Sequence, residues 1–433
     1  MRTPVSTPPN IVLIHCHDLG TWLPCYGMPS VPSPNLNQLA EESIVFERAF
    51  ATAPLCTPAR SSLFTGLHPH QNGLMGLVHS GWRYRPGVQT LPEMLRPYGY
   101  HSALIGLQHE DLDSRVLGYD EVHGLGFLPR ALEVARQTEQ WLQQPETAER
   151  PIFLTVGTWE THRPWPSEDY EAADPSAVDV PTYLPDNTDT REDIAAFHGS
   201  IRQLDEAIGR ILRSLDNSAH ADNTMVIFTT DHGAAFPRAK STLYDSGVGV
   251  ALIVRPPRSW NQPPGRRSAL TSHLDVAPTL VEVAGGEPPE NLEGESFLDT
   301  LRDPTRSRPT RELFLEKSHH DRYDPIRAIR TDRAKYIRNY EPGPQVPLAL
   351  DLEESPTRRG MDEQLPPKPA EELYLLRDDP SELHNLAPVP AFEQLRAELA
   401  SRLDHHLRRT GDPILAGTID APSVPSRDAR EPC

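Results

Sequence analysis

Residues 55–66 have the sequence Leu55-Cys56-Thr57-Pro58-Ala59-Arg60-Ser61-Ser62-Leu63-Phe64-Thr65-Gly66, which contains the pattern C-x-P-x-R. Proline fits the first turn of a helix, where a missing N–H costs nothing, so a helix is predicted to begin near Cys56. Unpaired N–H groups and the helix dipole at such an end favour an anion. Arg60 adds a planar guanidinium suited to sulfate or phosphate. The stretch predicts an oxyanion-ester site with a nucleophile beside it; the alternative is a buried structural cysteine.

The bulk composition narrows the class of protein. A chain of 433 residues is long enough for one large α/β domain and a smaller one. The formal net charge of -19 argues against a nucleic-acid or membrane-surface binder, because phosphates would be repelled. An anionic substrate would therefore need a local positive pocket. The four cysteines, Cys16, Cys25, Cys56 and Cys433, have neither disulfide-scaffold nor zinc-finger spacing, although Cys16 and Cys25 could pair.

The two ends of the chain predict little structure. Met1 to Asn10 is short and polar with no apolar leader core, and no run approaches transmembrane length. We therefore expect a cytoplasmic protein, unless an export signal has been removed. Residues 3–9 and the tail from 410 to 433 are predicted to be loosely held arms.

Polar, metal-binding residue types follow two apolar runs. Asn10 to His15 and the run from 222 to 230 predict buried parallel strands. His17-Asp18 follows the first strand, and Asp231-His232 follows the second. Ligands of open α/β sheets gather beyond the carboxyl ends of strands, so these pairs stand where metal ligands would. The alternative for Asp18 is a turn-capping role before Gly20.

Further patterns complete the predicted α/β architecture. Strands are predicted over 100–105, 151–157 and 250–254, and helices over 33–43, 90–98 and 197–215. The loop 167–189 is predicted to roof the site. After Pro309 the pattern changes to antiparallel strands over 313–315, 326–330 and 335–337, followed by a helix over 392–407.

From Asn10 to Leu407 the ordered motifs resemble those of the sulfatase family, in which the C-x-P-x-R cysteine is oxidised to formylglycine. The motifs include the P-N-L-x-x-L-A helix at 34–40, the Asp-His-Gly at 231–233 and the E-L-Y element at 372–386. The resemblance implies an alkaline-phosphatase-like α/β fold, a mixed sheet flanked by helices. It implies a catalytic domain over 10–307, a small C-terminal α+β subdomain over 308–409 and a tail over 410–433.

The resemblance also implies one divalent metal, held by Asp18, Asp231 and residue 56. His17 stands where the family has a second acidic residue, and His232 is a further candidate ligand or a neighbour of the metal. The family metal is usually Ca²⁺, which prefers hard oxygen ligands. Because His17 and His232 bring imidazole to the site, we hypothesise that it tolerates or prefers Mn²⁺ or Zn²⁺.

The catalytic residues implied by the resemblance are Cys56 as formylglycine, Arg60, His109, His162 and Lys240. Hydrated formylglycine would attack sulfur, His162 would protonate the leaving group, and His109 would assist release of sulfate. Taken alone, His162 and Lys240 could equally be solvated loop residues.

Several residues around this set modify the expectation. Leu107 replaces the lysine of the family's G-K-x-H motif, so Gln108 or His17 is a candidate substitute. Arg163 is expected to add charge to the pocket, and Ser318-His319-His320 to reach the leaving group.

The resulting prediction is a sulfatase that acts on a sulfate ester or N-sulfate, most simply of a sulfated sugar. Residues 68–77 are most similar to the heparan N-sulfatase subfamily. A formylglycine-generating enzyme is the implied maturation partner, and neither nucleic acid nor membrane is expected as a partner. Two alternatives stay open: a phosphonate or phosphate ester hydrolase of the same superfamily, and, because of Leu107, a non-catalytic binding protein on this scaffold.

Overall fold

The computed structural model describes residues 8–126, 128–144 and 150–423. Most of the predicted N-terminal arm, the last part of the predicted tail and Cys433 lie outside the described residues. Among the helices it describes, none combines the length and apolarity needed to cross a bilayer.

The strands and helices of the main body are β1 Asn10–Cys16, α1 Pro34–Glu41, β2 Ile44–Phe46, β3 Ala49–Phe50, α2 Cys56–Thr65, α3 Pro69–Asn72, α4 Leu91–Leu95, β4 His101–Gly106, β5 Glu121–His123, α5 Ala131–Leu142, β6 Ile152–Gly157, α6 Thr188–Asp216, β7 Thr224–Thr230, α7 Asp245–Val248, β8 Gly249–Val250, β9 Leu252–Arg255, β10 Gly265–Arg267, β11 Thr271–Ser272, α8 Val276–Val283 and α9 Leu298–Arg302. They form a mixed eight-stranded sheet with the strand order β10-β2-β9-β7-β1-β6-β4-β5, accompanied by a smaller sheet of β11, β3 and β8.

Strand β1 lies at the centre and is buried along its whole length. It pairs in parallel with β6 on one side and with β7 on the other. Val12 and Ile14 pack into the core on one face of the sheet, and Ile11 and Leu13 into the core on the opposite face. A strand covered on both faces needs apolar residues at every position, which is why this run is continuously apolar. The predicted mixed sheet flanked by helices is confirmed.

Helix α6 is longer than the predicted helix over 197–215. It begins at Thr188 because the side chain of Asn187 accepts a hydrogen bond from the backbone N–H of Thr190. Its first turns carry Asp193, a buried acidic residue that interrupts the apolar spacing used for the prediction. The apolar face from Ile201 to Leu212 packs into the core, as expected.

The C-terminal part is a four-stranded antiparallel sheet in the order β12-β13-β14-β15, and its elements are β12 Leu313–His319, β13 Tyr323–Arg330, β14 Ala334–Asn339, α10 Leu350–Glu353, α11 Pro356–Arg359, β15 Glu371–Leu375 and α12 Glu393–Thr410. This confirms the predicted antiparallel strands. The described part of the predicted tail is packed rather than loose. Asp412 forms a buried two-bond ion pair with Arg327, and Ile414 and Ile419 lie in the subdomain core.

Candidate active site

The predicted site residues converge at one edge of the main sheet. The parallel strands β4, β6, β1 and β7 are neighbours, so their carboxyl ends meet at this edge. Helix α2 begins there, with Leu55 as N-cap and Cys56 as its first residue, as the Pro58 position predicts. The Cys56 side chain is buried within this edge.

Four of these residues form a cluster suited to a metal ion. His17, Asp18, Cys56 and Asp231 each offer a ligand atom, and these atoms lie within 4.8 Å of one another. The Nδ1 atom of His17 lies 2.9 Å from Asp231 Oδ2. His17 Nε2 and Asp18 Oδ1 are buried without a hydrogen-bond partner. Buried polar atoms are normally paired, so a cation at this point would supply the missing interactions and the cluster fits a divalent ion.

His232 lies against this cluster. Its Nδ1 atom is 2.9 Å from the carbonyl oxygen of Gly233, which assigns the ring proton to Nδ1 and a lone pair to Nε2. That Nε2 atom is 3.1 Å from Asp18 Oδ1 and 3.5 Å from the Cys56 sulfur. Two electron-rich atoms directed at one another favour a cation between or beside them. His232 therefore borders the four-residue cluster, where the sequence predicted either a ligand or a neighbour.

Arg60 is fully buried and directed at the cluster. Its Nη2 atom donates to Asp231 Oδ2 at 3.1 Å and to the carbonyl oxygen of Cys16 at 3.0 Å. Its Nη1 atom lies 2.5 Å from His15 Nδ1. Burial and the Arg60 charge hold the pKa of His15 well below its usual range, so His15 accepts this hydrogen bond as a neutral ring.

Lys240 joins the cluster to a carboxylate that the sequence did not predict. Its ammonium lies 2.8 Å from Asp18 Oδ2 and 2.7 Å from Asp351 Oδ2. Burial opposes the charged form, but these two carboxylates outweigh it and raise the pKa of Lys240 well above its usual value. Asp351 lies in α10, a single turn without any motif, so no sequence pattern could have identified it.

His162 and His109 lie beside the cluster as neutral rings. His162 Nδ1 is 2.5 Å from the carbonyl oxygen of Arg163, and its Nε2 atom is 3.4 Å from the Lys240 ammonium. Burial and the Lys240 charge lower the pKa of His162. His109 packs edge-on against His17 at 6.0 Å between ring centroids, and both of its ring nitrogens are buried without a hydrogen-bond partner. Burial and the Arg60 charge lower the pKa of His109 to about 3.

Two expectations about compensating charge are wrong. Gln108 cannot substitute for a lysine, because its side-chain oxygen accepts hydrogen bonds from the backbone of Glu110 and Asp111 and shapes the loop. Arg163 adds no net charge to the pocket, since both of its terminal nitrogens donate to Asp193 in a buried pair. Leu107 is itself buried.

The remaining expectations are met in part. His319 is directed away from the site and bonds to the carbonyl oxygen of Ile419. The His320 side chain is 11% exposed and lies where the charges of Lys240 and Asp351 reach it. The loop 167–189 forms hydrogen bonds to Ser30, Arg130, Glu160, Arg202, Gly360 and Ser381, and its role as a roof over the site stays a prediction. Cys16, Cys25 and Cys56 are free thiols, which excludes the Cys16–Cys25 pairing.

Comparison with known proteins identifies the family of this chain. The sequence profile of the family described as Sulfatase matches residues 9–286. The profile described as N-sulphoglucosamine sulphohydrolase, C-terminal, matches residues 236–361. Human N-sulphoglucosamine sulphohydrolase is 27% identical over 94% of this chain and 91% of its own length. An ulvan-active sulfatase from Formosa agariphila is 26% identical over 93% of this chain and 75% of its own length.

Solved structures share the fold. A 2-O GAG sulfatase superposes with a TM-score of 0.70 at 21% identity, covering 96% of this chain and 95% of that one. The phosphonate monoester hydrolase of Agrobacterium radiobacter superposes with a TM-score of 0.69 at 21% identity, covering 94% and 97%. The matched profile spans more than half of the chain. This chain therefore belongs to the sulfatase family and is a sulfuric ester or sulfamate hydrolase.

Proposed function

We propose that this enzyme hydrolyses a sulfate ester or an N-sulfate of a sulfated sugar, using a formylglycine formed from Cys56 and one divalent metal. The observation that carries the proposal is the position of Cys56. Its sulfur belongs to the same 4.8 Å cluster as His17, Asp18 and Asp231. A nucleophile formed at this position would stand directly beside the metal.

The metal would be held by His17, Asp18, Asp231 and residue 56, with His232 at its border. When bound, it supplies positive charge that lowers the pKa of the attacking hydroxyl and balances the charge on the sulfuryl oxygens. The imidazole of His17 supports our hypothesis that Mn²⁺ or Zn²⁺ is accepted as well as Ca²⁺.

The chain's own residues account for the other requirements of the reaction. Lys240 and Arg60 place two positive charges beside residue 56, where they orient a sulfate group. The N-terminal N–H groups of α2 add partial positive charge at the same point. His162 Nε2 accepts from the Lys240 ammonium, and we assign this pair to protonation of the leaving oxygen or nitrogen: the Lys240 ammonium supplies the proton, and the neutral ring of His162 relays it. His109 has two unpaired ring nitrogens and is assigned to proton acceptance during sulfate release.

The sugar substrate is supported by the relatives. The human relative is an N-sulphoglucosamine sulphohydrolase and the Formosa relative is an ulvan-active sulfatase, and each match covers more than nine-tenths of this chain. The profile over 236–361, which includes Lys240 and Asp351, adds weight to an amino-sugar substrate.

A second candidate is hydrolysis of a phosphonate or phosphate ester. The pairing of Asp231 with His232 beside Cys56 favours it, because imidazole at the cluster suits transition metals that also serve phosphoryl transfer. Paired kinetics on an aryl sulfate and an aryl phosphonate separate the two, and a higher kcat/KM for the phosphonate would replace our proposal.

The test of the proposal is mass spectrometry of the tryptic peptide from 49 to 60, from protein made in its native host or together with a formylglycine-generating enzyme. We expect an aldehyde or its hydrate at residue 56, with release of sulfate from an aryl sulfate by the same sample. An unmodified thiol under these conditions would overturn the formylglycine mechanism. A modified protein without sulfate release would favour the non-catalytic alternative suggested by Leu107.

A further inference from the structure

Asp351 brings an unpredicted carboxylate to the mouth of the active site. Together with Asp18 and His162 it forms a group whose ligand-type atoms lie within 4.8 Å of one another. One oxygen, Oδ2, accepts from the Lys240 ammonium at 2.7 Å. The side chain is 20% exposed whereas Lys240 is 1% exposed, so Asp351 stands on the solvent side of the lysine. Asp351 therefore places a carboxylate on the more exposed side of the Lys240 ammonium.

A second carboxylate fixes the position of the first. Asp321 follows β12 and accepts a hydrogen bond from the backbone N–H of Leu350 at 2.8 Å, at the start of α10. His320 Nδ1 lies 2.8 Å from the same oxygen of Asp321. The Asp321 side chain is 18% exposed. The turn that carries Asp351 is thus tied to the rim of the site, and the rim carries two acidic side chains.

Both carboxylates are ionised at neutral pH. Burial opposes the charge of Asp351, but the Lys240 ammonium outweighs it and lowers the pKa of Asp351. Burial likewise opposes the charge of Asp321, and its hydrogen bond with His320 lowers its pKa. Burial also lowers the pKa of His320, which therefore contributes no positive charge to the rim.

The positive charges of the pocket lie deeper than this rim. Arg60 is bonded to Asp231, and Lys240 is bonded to both Asp18 and Asp351. Leu107 stands where the family has a lysine, and Lys317, which bonds to the carbonyl oxygen of Ser241 beside Lys240, is already paired with Asp324. A second anionic group on the substrate would face Asp351 in partly desolvated surroundings, where like charges repel strongly. A hydroxyl or ammonium at the same place could donate to the carboxylate.

We propose that Asp351 is a specificity-determining residue that selects sulfates whose neighbouring substituent is a hydrogen-bond donor and rejects those with a second anion beside the sulfate. The inference rests on the proposed function. It narrows the substrate class to singly sulfated neutral or amino sugars, in preference to sugars with adjacent sulfate or carboxylate groups. Rejection of the wrong substrate by a placed charge is a common route to specificity.

The experiment uses two aryl sulfates of similar size, meta-aminomethylphenyl sulfate and meta-carboxyphenyl sulfate, with the formylglycine-bearing enzyme. We expect a higher kcat/KM for the ammonium probe, and we expect Asp351→Asn to reduce the ratio of the two values about tenfold or more. Asp351→Glu keeps the charge and should keep the preference even if kcat falls. Glu353→Gln removes an exposed charge from the same helical turn and should change the ratio less than about twofold.

A wild-type preference for the carboxylate probe, or an unchanged ratio in Asp351→Asn, would overturn the inference. Independently of any variant, the wild-type preference should weaken as ionic strength rises, because the rim is partly exposed. Calorimetric binding of both probes to Cys56→Ser, with and without Asp351→Asn, separates the two proposals. If binding of the two probes differs and the difference depends on Asp351, but the formylglycine-bearing enzyme hydrolyses neither probe, the proposed function alone is overturned. If the enzyme hydrolyses the probes but shows no preference that depends on Asp351, only the specificity inference is overturned.

Discussion

The ammonium of Lys240 lies 2.8 Å from the carboxylate of Asp18, and both side chains are buried. A buried charge is stable only when it is paired, so this contact fixes the lysine at the metal-ligand cluster. It also links β1, which ends before Asp18, to the loop that follows β7. Any anion held by Lys240 must therefore lie next to the proposed metal and residue 56.

Replacement of Lys240 should impair turnover severely. We expect Lys240→Ala to lower kcat/KM for para-nitrophenyl sulfate about a hundredfold to a thousandfold, because a preorganised positive charge at the sulfuryl oxygens is lost. Lys240→Arg keeps the charge in a different geometry and should retain more activity than the alanine variant. Steady-state kinetics on protein with verified formylglycine content provides the measurement, and equal activity of wild type and Lys240→Ala would contradict the role.

Local patterns predicted the strands and the residues at their ends, but not the contacts made by residues distant in the chain. Asp18 and Asp231 could be placed because each follows an apolar run, and parallel neighbours end at the same edge. Asp351 contacts Lys240 across 111 residues from a one-turn helix with no apolar period. Arg163 was misassigned for the same reason, since its partner Asp193 belongs to the polar start of α6.

At two positions this chain lacks a charged residue of the family pattern, one acidic and one basic, so the two changes cancel in net charge. His17 replaces an acidic residue, and burial and Arg60 hold its pKa well below the usual range, so it is neutral. Leu107 replaces a lysine. We expect His17→Asp and Leu107→Lys each to lower kcat/KM. Because contacting or electrostatically coupled sites are not additive, the kcat/KM of the double variant should be at least about tenfold higher than the two single effects together would give. Strict additivity in this double-mutant cycle would show that the two positions are independent.

Metal removal should show which ion the cluster prefers. After chelation we expect loss of activity and a lower melting temperature, because an ion that binds only the folded state stabilises it. Mn²⁺ or Zn²⁺ should restore both at lower concentration than Ca²⁺, given the imidazole of His17. His17→Asp should shift the preference toward Ca²⁺. Elemental analysis that finds only Ca²⁺ in the purified wild-type protein would count against this expectation.

The contact between the two parts of the chain should be sensitive to acid. His70, near α2, pairs with Glu316 of β12, and both are buried. Burial would raise the pKa of Glu316, but the charges of His70 and Arg327 outweigh it and lower the pKa to about 2. A lowered carboxyl pKa stabilises the fold above its unfolded value of 4.5 and loses that effect as pH falls toward 2.

Glu316→Gln should therefore lower the free energy of unfolding by about 3 kcal/mol at neutral pH, because it leaves His70 without its partner. Below pH 4.5 the difference from wild type should shrink. Urea denaturation across the acid range gives both values. Glu353→Gln breaks an exposed pair with Arg322 and should lower the free energy of unfolding by less than about 1 kcal/mol. A similar loss of stability in the two variants would refute the structural importance of the buried pair between His70 and Glu316.

The contribution of His162 to kcat/KM should be larger for substrates with poorer leaving groups. Its Nε2 atom faces the pocket 3.4 Å from Lys240, and its Nδ1 atom is held by the carbonyl oxygen of Arg163, so Nε2 is the atom free to exchange a proton with the substrate. An alkoxide or amide leaving group needs a proton, which Nε2 can relay from the Lys240 ammonium, whereas para-nitrophenolate needs none. We expect His162→Ala to lower kcat/KM for an alkyl sulfate or a sulfamate about a hundredfold or more, and for para-nitrophenyl sulfate far less.

His162→Gln keeps a hydrogen-bond donor without acid–base capacity and should behave like the alanine variant on the poor leaving group. Equal losses on both substrates would assign His162 to sulfate binding rather than to protonation of the leaving group.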